Sequence, residues 1–278
     1  MSRHSASRYS SRMLTFARIL GHMTNVGQRA NTMRRLAATG LGVFAVAILL
    51  NACAMPAPTP DYAALLAAPD RTDADRKNDD RRQAAKLLAF TGVRPGWKVL
   101  DMAAGAGYST ELMARAVAPG GTVYGQNPPK AIRGMDAFLA RMKSPAMKNV
   151  IDDRRKFDDP VPATVTNLDL VTFFFGYHDT TYMQVDRAKM DKAMFNALKP
   201  GGYLVIADYA ALPGAPVTTG KSFHRLDENI EKSEIEAAGF KLVDEGNFLR
   251  NPNDTHDFII FNSKIPIDSF VIKFQKPI

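Results

Sequence analysis

The chain has 278 residues and a formal net charge of +8, with 36 Lys and Arg against 28 Asp and Glu. Residues 1–53 carry seven arginines and no acidic residue, so the rest of the chain is nearly neutral. The overall charge therefore gives no support for a nucleic-acid-binding protein. Its single cysteine, Cys53, excludes a fold held by intrachain disulfides.

The N-terminal segment has the layout of a bacterial lipoprotein signal peptide. Arg34 and Arg35 precede the uncharged, mostly apolar run 36–50, which leads into Leu50-Asn51-Ala52-Cys53. This run is shorter than the roughly 20 residues that span a bilayer, which favours cleavage and lipidation of Cys53. A retained anchor or a helix hairpin that ends at the cysteine is the alternative.

Residues 1–32 are rich in Ser and Arg, which makes an unusually long positive region before the apolar run. Either translation starts at Met33, or these residues are a disordered cytoplasmic tail of an uncleaved anchor. Ala54 follows the cysteine where an acidic residue would signal inner-membrane retention. By similarity to Gram-negative lipoproteins, we expect the chain to be anchored to the outer membrane and to face the periplasm.

Residues 54–80 are rich in Pro, Ala and Asp, and the stretch 55–60 is too proline-dense to form a helix or strand. We interpret residues 54–80 as a tether. The remaining residues, 81–278, suffice for one domain with a single core and contain no internal repeat.

Residues 99–110 predict a strand, a tight turn and the start of a helix. The hydrophobic run ends at Asp101, and Gly105 and Gly107 then allow a ligand to approach the backbone closely. Ser109 or Thr110 is expected to cap the following helix, whose first N–H groups would face that ligand. Such a corner is typical of nucleotide-like cofactor sites.

Further strands follow at regular intervals. Residues 121–127 and the apolar run 168–175 are predicted strands, and residues 198–208 predict a helix end, a turn and a buried strand. The last strands are expected at 240–245 and 270–274. This order, with helices between the strands, indicates an open, mostly parallel α/β sheet.

The acidic-then-glycine turn after the first strand and Leu198-Lys199-Pro200-Gly201-Gly202 resemble the class I S-adenosylmethionine-dependent methyltransferases. The resemblance extends from about Arg82 to the C-terminus. Tyr177-His178-Asp179 and His224-Arg225-Leu226-Asp227 further resemble a bacterial branch of predicted methyltransferases. The resemblance implies a Rossmann-like fold with seven strands, helices on both faces, a last strand that is antiparallel, and S-adenosylmethionine as cofactor.

The resemblance also implies cofactor-binding residues at the carboxyl ends of the strands. Gly105 and Gly107 would approach the amino acid part of the cofactor, with Tyr108 beside them. Asp101 would orient the turn, and Asp158 would reach the adenine amine. A solvated acidic loop is the alternative for Asp158.

Two positions depart from the family pattern. Ala103 stands where the first glycine of the turn is usual, and Asn127 stands where a carboxylate normally binds both ribose hydroxyls. Without that charge-assisted pair, cofactor affinity should fall by about 1.5–3 kcal/mol unless another group substitutes.

Candidate catalytic residues follow the fourth and fifth strands. Tyr177, His178 and Asp179 come where the transferred methyl group should point, and His178 is the expected base because an unperturbed imidazole titrates near neutrality. His224 could share that role. The alternative is that His178 and Asp179 only hydrogen-bond a loop.

Arg225 is expected to bind an acidic acceptor, together with Asp208 at the end of the fifth strand. An ion pair between Arg225 and Asp227 is the alternative. Imidazole and carboxylate side chains also suit divalent metals, but their spacing matches no compact metal motif, so no metal is expected.

The predicted export conflicts with the predicted cofactor, which is made inside the cell. The leading hypothesis is a membrane-anchored methyltransferase that acts on a small-molecule or lipid-phase acceptor and not on nucleic acid. The alternative is a non-catalytic periplasmic or envelope-associated protein that reuses the fold. The oligomeric state is not indicated.

Overall fold

Seven segments form strands of a single sheet, in the spatial order β3-β2-β1-β4-β5-β7-β6. The computed structural model describes residues 58–130 and 134–278. The strands are β1 Lys98–Met102, β2 Thr122–Asn127, β3 Val150–Arg154, β4 Leu168–Phe174, β5 Leu198–Tyr209, β6 Lys241–Gly246 and β7 Ser269–Gln275.

The sheet is mostly parallel. Strand β1 is parallel to both of its neighbours, β2 and β4, and only β7 runs antiparallel, between β5 and β6. The predicted open sheet of seven strands with an antiparallel last strand is therefore confirmed. All carboxyl ends of the parallel strands meet at one edge, which positions the candidate site.

Eight α-helices accompany the sheet within the described residues. They are α1 Tyr62–Leu66, α2 Asp73–Arg82, α3 Ala84–Thr91, α4 Tyr108–Val117, α5 Met135–Arg141, α6 Arg187–Ala197, α7 Thr219–Ser222 and α8 Glu228–Ala237. Two apolar cores result: Val171 and Phe173 of β4 join one, and Leu170 and Phe174 join the other. Because side chains alternate along a strand, the two cores lie on opposite faces of the sheet. Helices therefore cover both faces, as expected.

The predicted tether is wrong from Tyr62 onwards, because α1 and α2 pack on the domain. The Tyr62 hydroxyl donates to the Val93 carbonyl at 2.9 Å. Asp75 accepts from the Arg141 guanidinium at 2.7 Å, and Asp79 accepts from the Tyr108 hydroxyl at 2.6 Å. These contacts are ionic and polar, and so they leave no apolar periodicity in the sequence.

The predicted signal peptide and Cys53 lie outside the described residues. Among the residues that are described, none of the helices has the length and apolar character needed to cross a membrane.

A cluster of buried carboxyl groups lies between α6 and α8. The Tyr177 hydroxyl is 3.0 Å from Asp191 and 2.9 Å from Glu234, which also pairs with Arg187 at 2.6 Å. Within the described residues, Asp191 Oδ1 and both carboxyl oxygens of Glu231 have no hydrogen-bond partner. Burial raises the pKa of Asp191 to about 7 and the pKa of Glu231 well above its usual range.

The variant Asp191→Asn is expected to be more stable than the parent at pH 8 by about 2–4 kcal/mol. A raised pKa in the folded state means that the stabilising contribution of the protonated carboxyl is complete below about pH 4. It is lost as the pH rises towards 7.

Denaturant unfolding of the parent and the Asp191→Asn variant at pH 5 and pH 8 measures this difference in stability. Glu236→Gln, on the exposed side of α8, is the control. The same stability difference at both pH values would contradict the buried charge.

Candidate functional site

The turn between β1 and α4 has a backbone with three left-handed residues. Their φ angles are 52° at Ala103, 58° at Gly105 and 83° at Gly107. Glycine adopts this conformation without strain, whereas Ala103 carries the strain of a side chain at positive φ. Its backbone conformation explains why a glycine would be expected at position 103.

Helix α4 begins after Gly107, which has no side-chain capping bond. The prediction that Ser109 or Thr110 caps the helix is wrong. Both hydroxyls lie in the first turn and donate to buried Asp101, at 2.9 and 2.7 Å, and Thr172 of β4 donates to it at 2.7 Å. Asp101 therefore holds the turn and the helix start together, consistent with its expected orienting role.

The two glycines of the turn differ in what surrounds them. Among the described residues, a Cβ added at Gly105 would meet only the Ala103 carbonyl oxygen, at 3.8 Å, whereas one at Gly107 would lie 2.9 Å from the Phe138 ring. Gly105 therefore borders open space, where a ligand can approach the backbone. Gly107 is required by packing.

Asn127 is fully buried at the end of β2. Its Oδ1 accepts from the Gly105 N–H at 2.9 Å, and Gln126 Oε1 accepts from the Ala103 N–H at 3.1 Å. In this structure Asn127 fixes the glycine turn from within the protein. The ribose contact expected for Asn127 is thus replaced by a contact to the turn itself.

The remaining predicted cofactor residues lie at the same edge of the sheet. The Tyr108 hydroxyl is engaged by Asp79, which ties the turn to α2. Asp158 is partly exposed and lies 3.7 Å from the Lys189 ammonium group. Its contact with an adenine stays a prediction.

Arg82 is a site residue that the sequence analysis missed. Its guanidinium carbon lies 4.6 Å from the Phe175 ring centroid and 5.2 Å from that of Tyr108. Its Nε is buried and has no hydrogen-bond partner in the described part of the chain. No local sequence signal marks this role, because Arg81-Arg82 follows two acidic residues and has the composition of a solvated charged run.

A cleft of about 950 Å³ opens at the carboxyl ends of β4 and β5. Arg82 and Phe175 line it together with Tyr209, and the segment 248–267 closes the far side. The Phe175 and Tyr209 rings contact each other, with centroids 4.9 Å apart. The cleft is large enough for a drug-sized molecule, and aromatic rings and several cationic side chains line it.

His178 lies behind this cleft and is almost completely buried. Its Nδ1 is 2.7 Å from Asp208, and its Nε2 is 3.1 Å from Asp179. Burial disfavours the charged imidazole, but the two carboxylates outweigh it and raise the pKa of His178 to about 10. Both ring nitrogens of His178 thus face carboxylates, and its role as a general base stays a prediction.

His224 is more accessible than His178. Its Nδ1 is 3.2 Å from Asp179, and its ring centroid is 4.8 Å from that of Phe261, which lines the cleft. The fold thus brings together His178, Asp179 and His224, as the sequence analysis anticipated.

Comparison with known proteins identifies the fold. The ubiquinone/menaquinone biosynthesis C-methyltransferase UbiE of Burkholderia multivorans is 31% identical over 132 residues, covering 47% of this chain and 50% of that enzyme. The UbiE enzyme of Cronobacter sakazakii is 26% identical, covering 56% of this chain and 61% of that enzyme. A SAM-dependent methyltransferase structure from Aquifex aeolicus matches with a TM-score of 0.52 at 18% identity, covering 74% of this chain and 99% of that one.

The chain has the class I methyltransferase fold. The predicted resemblance to the class I methyltransferases is thereby confirmed for the fold, and the lipoprotein branch stays a prediction. The chain spans half to three fifths of the length of these two curated relatives. No family model matches it.

Two predicted site residues, one catalytic and one substrate-binding, are fully buried. Tyr177 is fully buried against the carboxyl cluster of α6 and α8. Asp208 is fully buried and accepts from the His178 ring, the His178 N–H and the Tyr209 N–H. The predicted catalytic role of Tyr177 and substrate contact of Asp208 are therefore wrong, because neither side chain reaches the cleft.

The prediction that Arg225 binds an acceptor is also wrong. Arg225 is fully buried, and its two terminal nitrogens donate to Asp254 at 2.9 and 3.0 Å. The alternative ion pair with Asp227 does not form either, because Asp227 accepts from the Asn229 N–H at the start of α8. Arg225 is thus a structural residue that fixes the chain next to His224.

Proposed function

We propose that the chain is an S-adenosylmethionine-dependent methyltransferase. The observation that carries this proposal is the open space at Gly105, directly after β1 and beside the fully buried Asp101. Class I methyltransferase homologues and the shared fold support it. A fold alone does not determine an activity, so the proposal rests on the geometry of the site.

The residues around the turn fit this cofactor. Open space at Gly105 lets the backbone approach the amino acid part, and Arg82 offers a cation with an unused Nε between the turn and the cleft. Asp158 would reach the adenine amine from the end of β3. When bound, the cofactor supplies a methyl group on a sulfonium, and the chain's own task is to align an acceptor and exclude water.

The acceptor would lie in the cleft next to this turn. The rings of Phe175, Tyr209 and Phe261 favour a small molecule with an aromatic or apolar body over a nucleic acid. His224, with Nδ1 beside Asp179, is the accessible group that could take a proton from such an acceptor. A membrane-phase acceptor could place its apolar part against these rings.

Photo-crosslinking tests the proposal. Ultraviolet irradiation of the full-length chain with methyl-labelled S-adenosylmethionine should label peptides at the carboxyl edge of the sheet. Excess S-adenosylhomocysteine should remove the label. Absence of competable labelling would overturn the methyltransferase proposal and favour the non-catalytic alternative, to which the burial of Asn127 lends some weight.

We further propose that the chain is lipid-anchored at Cys53 on the periplasmic side of the envelope. The arginines before the apolar run 36–50 and the small residue Ala52 support this arrangement. The variant Cys53→Ala is expected to lose incorporation of labelled palmitate and to leave the membrane fraction. Equal labelling of parent and variant would contradict the anchor.

A further inference from the structure

Three side chains with metal-ligating atoms converge beside the cleft. One ligand atom each from His178, Asp179 and His224 lies within 4.8 Å of the other two. Asp179 Oδ1 is 3.1 Å from His178 Nε2 and 3.2 Å from His224 Nδ1. The sequence predicted no metal because residues 178 and 224 are far apart along the chain, and only the fold brings them together.

A buried carboxylate orients His178 for such a role. Asp208 is fully buried and lies 2.7 Å from His178 Nδ1, the ring nitrogen that faces away from Asp179 and His224. Metal-ligating histidines in proteins almost always have their second nitrogen held in this way by a carboxylate or carbonyl. With Nδ1–H donated to Asp208, Nε2 faces the other two side chains, and a metal ion bound there would displace its proton.

The two segments that carry these residues are held together by packing. A Cβ at Gly220, in α7 before His224, would clash with Thr181 Oγ1 and lie 2.7 Å from the His178 carbonyl oxygen. The backbone of α7 therefore lies directly against the turn that follows β4. On the other side, the buried Arg225–Asp254 ion pair fixes the chain immediately after His224.

We propose that His178, Asp179 and His224 bind a divalent transition metal ion. Two imidazole nitrogens and one carboxylate oxygen suit Zn²⁺, Fe²⁺, Co²⁺ or Ni²⁺ better than Mg²⁺ or Ca²⁺, which prefer sets of oxygen ligands. Three protein ligands leave coordination positions open, as in catalytic rather than structural sites. Phe261, which contacts the His224 ring, lines the cleft, so these positions would be accessible to a molecule bound there.

This proposal does not rest on the methyltransferase proposal, because it needs no cofactor and no transfer activity. Its test is titration of the full-length chain with Co²⁺ after treatment with a chelator and dialysis. We expect one equivalent to bind and to produce visible absorption bands of a nitrogen-coordinated ion. Added Zn²⁺ should displace Co²⁺ and abolish these bands.

Variants separate this site from other histidines of the chain. His224→Ala is expected to weaken binding of Co²⁺ at least tenfold, and Asp179→Asn, which keeps the side-chain shape, should do the same. His256→Ala is the matched control: His256 also has positive φ and also contacts a carboxylate, Asp268 at 3.1 Å, yet lies outside the three-residue cluster. Circular dichroism reports whether each variant is folded.

Two outcomes would overturn the proposal. The first is that the parent chain binds no stoichiometric Co²⁺ or Zn²⁺ at micromolar concentrations. The second is that the folded variants His224→Ala and Asp179→Asn bind the ion as tightly as the His256→Ala control does.

Discussion

Replacement of Arg225 by methionine is expected to lower the free energy of unfolding by about 3–5 kcal/mol. Arg225 and Asp254 are both buried, and the guanidinium also donates to the Ala210 carbonyl at 3.0 Å. Loss of the guanidinium leaves the Asp254 carboxylate buried without its counter-charge. Urea unfolding followed by circular dichroism measures the change.

Two further variants test whether the buried charge is the cause. Arg250→Met removes an arginine that pairs with Glu228 on a more exposed part of the surface, so the expected loss is below about 1 kcal/mol. The double variant Arg225→Met with Asp254→Asn should regain part of the stability, because no unpaired charge remains. A loss below 1 kcal/mol in Arg225→Met would contradict the structural role assigned to this residue.

The variant Gly105→Leu is expected to weaken binding of S-adenosylmethionine about a hundredfold or more, which corresponds to about 2.7 kcal/mol. A side chain at Gly105 would extend into the open space that the methyltransferase proposal assigns to the cofactor. The protein itself should remain folded, because an added Cβ meets only one atom, at 3.8 Å. Calorimetric titration of the variant measures the affinity.

Gly96→Leu is the matched control for Gly105→Leu. Gly96 also has a positive φ, 84°, and an added Cβ there meets no atom of the described chain within 4 Å. It precedes β1, at the opposite end of that strand, so the backbone strain of about 1–2 kcal/mol is similar while the cofactor space is untouched. Equal weakening of cofactor binding by both variants would show that strain, and not occupied space, is responsible.

Strand β4 was predictable because its burial is evident from local composition, whereas the partly exposed β3 was not predicted. Six of the seven residues of β4 are buried, and the sequence shows them as one apolar run. Helix α2 could not be predicted in this way, since it consists almost entirely of charged residues. Its packing depends on ion pairs such as Asp75 with Arg141, whose partners are far apart in the chain.

The same difference between local and long-range features explains which parts of the candidate site were predictable. The turn at Gly105 was predictable because a strand end, glycines and a helix start are all local features. The roles of His178 and Arg225 were not, because each depends on a distant carboxylate, Asp208 and Asp254 respectively. Residue type alone predicted a base at His178 and an acceptor-binding group at Arg225, whereas the tertiary structure determines which carboxylate each side chain contacts.

Calorimetric titration of the full-length chain with S-adenosylmethionine and S-adenosylhomocysteine tests the central claim most directly. The account predicts one binding site with a Kd in the micromolar range for at least one of the two ligands, and a thermal stabilisation that follows from binding. No heat and no stabilisation at millimolar ligand would contradict the proposed methyltransferase and leave a fold that serves another ligand.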